Sequence, residues 1–247
     1  MSQSDPGARV TQQGEFAPLA EVRMPMLLRS KLAGVALTLG GLIAATCHVF
    51  SFESSAEVSQ AALYANYAQP VHLVLFAGLV LVLLGWSVQH AMEGSEAGVL
   101  GTAAFMCLFV GITCGDLIHS ILEFSAFPVI GSMAPYALPE IAEATYHSSA
   151  VGNLIGAGHC LMCIGSVATA ILIGRGRRRA EWAAVPLALS ALLFGAALVP
   201  QFATAISPAL MPVFYGAISL FGVSVLCTRR AKPEGTPKES MAKAAAQ

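Results

Sequence analysis

Asp116, His119 and Glu123 stand at i, i+3 and i+7 within one apolar stretch. At 100° per residue this puts three ionisable side chains within an arc of about 60° on one helix. Imidazoles and carboxylates together bind transition metals or metallo-cofactors, and they also take up and release protons. His48, His72 and His159 lie in three other apolar stretches. Counting along those stretches brings them to a similar depth, so His48, His72, Asp116, His119, Glu123 and His159 are the candidate metal ligands. Glu123 serves as ligand or ligand-orienting carboxylate and Asp116 as proton acceptor.

The surrounding charge favours a cation. From Leu32 to Gly174 there is no Lys or Arg, yet all six histidines and eight acids fall there. A cavity lined this way is negative and attracts positive species. Haem b is the alternative cofactor, with His119 and His159 or His48 and His72 as axial pairs. Haem propionates want cations that this block lacks, although Tyr64, Tyr67, Tyr136 and Tyr146 offer hydrogen bonds instead. A third reading is a proton-coupled permease for a small solute or metal ion, in which Asp116, His119 and Glu123 titrate in turn. Prolines in Val199-Pro200-Gln201 and at Pro208 and Pro212 could open backbone groups to such a path. The plainest alternative is a structural polar network. Whether the protein is an enzyme, such as a small membrane oxidoreductase, stays open.

Other motifs carry less. His159-Cys160-Leu161-Met162-Cys163 has soft-metal donors, but two small buried thiols explain it as well. The six cysteines fall in apolar segments and read as buried thiols. His90 and His147 lie near interfaces and read as water-facing. No phosphate-binding glycine loop, Gly-x-Ser-x-Gly elbow or His-Glu-x-x-His motif occurs.

The elements that must position these groups are membrane helices. The 247 residues are 56% hydrophobic and 11% charged, where a soluble domain carries about a quarter charged residues. Runs of about 20 apolar residues cross a bilayer as helices, since every backbone group is then bonded internally. Six such runs are expected, at 32–52, 70–92, 98–127, 149–174, 182–205 and 208–227. They predict an all-α, six-span bundle in contact with lipid. Residues 1–31 form a cytoplasmic arm and 228–247 a cytoplasmic tail.

Basic residues cluster at Arg23–Lys31, Arg175–Arg179 and Arg229–Lys232, all on one side of this arrangement. Lys and Arg stay cytoplasmic, so both termini face the cytoplasm of a cell inner membrane. His48, His72, His119, His147 and His159 then lie toward the outer face and His90 toward the cytoplasm. Trp86 and Trp182 read as anchors near the cytoplasmic interface. Gly111-x-x-x-Gly115 and Gly152-x-x-x-Gly156 suggest close packing of spans three and four, with His119 near Gly156. Spans one to four form the functional half, and the uncharged spans five and six support them. The net charge of −1 and the lack of a basic stripe exclude nucleic acid. A homo-oligomer or a membrane redox partner is compatible with the chain.

Overall fold

A computed structural model describes residues 25–50, 61–147, 149–175, 181–197 and 200–227. Most of the expected arm, Arg177–Arg179 and the tail lie outside the described residues, as do Glu53 and Glu57. The helices are α1 (Met26–Phe50), α2 (Ala61–Ile112), α3 (Ile118–Ile121), α4 (Phe127–Met133), α5 (Leu138–His147), α6 (Ala150–Arg175), α7 (Ala184–Ala197) and α8 (Pro200–Cys227). There is no strand among the described residues.

Five of the helical segments are long and apolar enough to cross a membrane: Met26–Phe50, Tyr67–Met92, Gly98–Met133, Ala150–Arg175 and Ala209–Cys227. The chain is therefore a helical membrane protein. The expected fifth span, 182–205, differs. Its described residues include α7, an apolar helix of 14 residues, and the start of α8 at Pro200, while residues 198–199 lie outside the described residues. At the other end of the chain, α1 begins at Met26 rather than 32. Arg29 and Lys31 thus join its first turns, where good helix formers extend a helix while their charges reach toward water.

Gly98 separates the second and third spans. Its φ of 61° and ψ of −161° form a bend that glycine accepts freely. The third span is not a uniform α-helix. Two π-helical turns, Thr113–Leu117 and Leu122–Ala126, flank the short α3. In the first, the Thr113 hydroxyl bonds the Phe109 carbonyl at 2.8 Å and competes with the helical register. The second precedes Pro128, which has no N–H to continue an α pattern.

The helices close a ring. α1 packs between α2 and α8, α7 lies between α8 and α6, and α6 meets the stretch that follows Gly98. Close approaches set the spacing. A Cβ on Gly41 would lie 2.7 Å from the Tyr215 carbonyl, so α1 and α8 touch backbone to backbone. Leu37, Leu75, Leu79, Leu108, Ile112, Met162 and Phe214 fill the interior. Trp86 belongs to that core: it is buried against Phe221, ring centroids 5.1 Å apart, rather than anchoring at an interface. Trp182 is exposed.

Candidate functional site

Both π turns carry a buried acid, Asp116 in the first and Glu123 in the second. Such turns occur mostly as single bulges and often at functional sites. Asp116 is 3% exposed and Glu123 is fully buried. A buried carboxylate is costly unless charge and hydrogen bonds compensate it. Here each is surrounded by imidazole and phenol groups.

Asp116 gathers partners from three other helices. His159 of α6 places Nε2 3.1 Å from Oδ1 and donates to it. Tyr215 of α8 donates its hydroxyl to Oδ2. His48 of α1 holds Nε2 3.8 Å from Oδ2 and stacks flat on the Tyr215 ring, centroids 5.4 Å apart. The approach of α6 depends on small residues. A Cβ on Gly158 would lie 2.4 Å from the Gly115 nitrogen, and one on Gly115 would meet the His159 ring at 2.9 Å. The expected seam is thus corrected. Gly111 and Gly115 pack on Gly158 and Met162, whereas a Cβ on Gly156 would touch nothing.

Glu123 forms a second group toward α5. Tyr146 of α5 donates its hydroxyl to Oε1 at 2.5 Å, and Nε2 of His119 lies 3.9 Å from the same oxygen. The Tyr146 and His119 rings stack with centroids 5.1 Å apart. His72 is buried and 5.9 Å from His119 between centroids. Its Nδ1 donates to the Ala68 carbonyl at 2.8 Å. The two groups adjoin along the third span, where Asp116 and His119 stand three residues, about one helical turn, apart.

The six candidate ligands therefore do not form one shell. Asp116 and Glu123 are seven residues apart, about 10 Å along a helix axis, while ligands of one ion sit about 2 Å from it. Among the described residues, no three His, Cys, Asp or Glu side chains are grouped as a metal ion requires. The histidines named as haem pairs have neighbours of their own. His119 and His159 address different carboxylates, and His48 is committed to Asp116 and Tyr215.

The remaining candidates lie apart. His147 is exposed, as expected, and pairs with Glu143 at 3.6 Å. His90, expected to snorkel or face water, is half-buried and stacks on Phe105 with centroids 4.2 Å apart. Cys160 and Cys227 are exposed rather than buried, and Cys163 points its Sγ toward the Ala191 carbonyl, 3.7 Å away.

Tyr215 is the site residue that sequence reasoning missed. It corrects the division into functional and supporting spans, since the last helix contributes directly. A lone tyrosine within an apolar span needs a partner for its hydroxyl, and that was the available signal. No protein family, no curated protein and no solved structure matches the chain.

Proposed function

We propose that this is a proton-coupled membrane protein, a permease for a small solute or a metal ion. Its His/carboxylate/tyrosine network binds protons and links their binding to helix packing. The observation that carries the reading is Asp116: one buried carboxylate touched by side chains of α1, α6 and α8. With no Lys or Arg from 32 to 174, neutralising positive charge must come from an imidazolium, a proton or a bound cation. Adding a proton to Asp116 weakens its grip on His159 and Tyr215 together. That is a direct way to convert protonation into movement of several helices.

The lysine and arginine clusters support six spans with both termini in the cytoplasm of an inner membrane, the site lying in the outer half. Reconstitution into liposomes with an internal pH-sensitive dye tests the reading. Wild type should carry protons with its solute down an imposed gradient. Asp116→Asn and Glu123→Gln should each reduce the rate by about tenfold or more, the scale expected for losing a positioned proton carrier. Equal rates for all three proteins and for empty liposomes would refute it.

A transition-metal ion is the second reading. His159 and His48 present Nε2 to opposite oxygens of one carboxylate, and imidazole with carboxylate suits zinc, iron or manganese. Asp116, His48 and His159 would have to draw closer together to hold the ion, since no three such donors are grouped for one among the described residues. One equivalent of metal by elemental analysis of the purified protein, lost in His159→Ala, would favour it. A Soret band would favour haem b instead.

A further inference from the structure

The packed face of α5 is a stripe at i, i+4 and i+8, made of buried Leu138 and Ala142 and half-buried Tyr146. Leu138 and Ala142 pack with Ala68 and Phe127 in a small cluster of their own. Tyr146 closes the stripe with its hydroxyl on Glu123, its ring on His119 and its edge against Phe127. The opposite face of α5, with Glu140, Glu143 and His147, is exposed. One short helix thus separates a fully buried carboxylate from the surroundings at that end of the bundle.

The other half of the bundle is closed differently. Leu108, Ile112, Met162, Leu75 and Leu79 are all buried to 1% exposure or less, on several long helices. Opening there means parting packed spans. Releasing α5 breaks its small cluster, its packing on α6 and the contacts of Tyr146 with Glu123 and His119, and weakly anchored elements open first. The corner behind α5 is held as a fixed point. Ser149 Oγ accepts from the Val151 and Gly152 amides at 3.1 and 3.2 Å. A Cβ on Gly152 would lie 2.0 Å from the Tyr146 carbonyl oxygen.

We infer that α5 is a lid over the buried acids, that Tyr146 is its latch on Glu123, and that the site exchanges with water at the α5 end. This goes beyond the functional reading, because it concerns access and holds whether the site takes protons or a metal ion.

A water-soluble carbodiimide with an amine, applied to the full-length protein in nanodiscs and read by mass spectrometry, tests it. Exposed Glu140 and Glu143 are internal standards. In wild type they should label quickly and Glu123 slowly. Tyr146→Ala should speed labelling of Glu123 about tenfold, the shift expected when the closed state loses a hydrogen bond to a charged group, and leave Asp116 slow. Gly152→Ala, which displaces Tyr146, should act in the same direction, and Gly156→Ala should not. If Tyr146→Ala loosens the whole bundle, so that Asp116 also labels fast, Tyr146→Phe decides. That variant keeps the ring and its packing, and should speed Glu123 alone by about tenfold, the effect of the lost hydrogen bond by itself. Glu123 labelling as fast as Glu140 in wild type would overturn the inference. So would an unchanged Glu123 rate in Tyr146→Phe.

Discussion

Tyr215 and Asp116, 99 positions apart in the chain, meet inside the bundle, the phenol donating to Oδ2 of the carboxylate. The contact ties the last helix to the first π turn of the third span. A hydrogen bond to a buried charged group contributes about 1.5–3 kcal/mol. Tyr215→Phe should therefore lower stability by about that amount in thermal unfolding in mild detergent. Combined with Asp116→Asn, the loss should be less than the sum of the two single losses, because both variants remove the same bond.

The seam between α6 and the third span makes a contrasting pair. Gly158→Ala introduces a methyl 2.4 Å from the Gly115 nitrogen. It must part the helices and carry His159 away from Asp116. A cost of about 1–3 kcal/mol is expected from overpacking. Gly156→Ala, with open space around the new Cβ, should stay within about 0.5 kcal/mol of wild type. Equal effects of the two on melting temperature would place the seam elsewhere.

His90 is a packing residue by its geometry, stacked 4.2 Å from Phe105. His90→Phe should leave proton-coupled activity and melting temperature near wild type. His90→Ala should lose about 0.5–1.5 kcal/mol, the worth of an aromatic pair. A large loss of activity in His90→Phe, with stability intact, would give this imidazole a chemical role.

The thiols should be dispensable. Cys160 is exposed and Cys163 leans on the Ala191 carbonyl, so the pair shows no shared target. The double variant Cys160→Ser/Cys163→Ser should retain bound species and activity in liposomes.

Much of this arrangement could be read from the chain because it follows from length and depth. Apolar runs near 20 residues marked the long helices, and counting inward along antiparallel spans put His159 level with Asp116. The axial offset of Asp116 and Glu123 was equally calculable from their spacing, and it divides the six candidate ligands into two groups. Other features depend on contacts that no local pattern encodes. The π turns arise where Thr113 and Pro128 disturb backbone bonding, but many threonines and prolines in helices do not produce them. Tyr146 reaches Glu123 only because α5 folds back onto Ala68 and Phe127. Tyr215 needed α1 and α8 to touch at Gly41.

The most direct measurement is infrared difference spectroscopy of the protein in lipid, stepped between mildly alkaline and acidic buffer. Protonation of a buried carboxylate creates a carboxylic C=O stretch. The expected result is a band in wild type that disappears in Asp116→Asn or Glu123→Gln, and that persists in Glu140→Gln and Glu143→Gln. A wild-type spectrum whose carboxyl bands all come from Glu140 and Glu143, with Asp116→Asn and Glu123→Gln unchanged, would contradict proton uptake by the buried network.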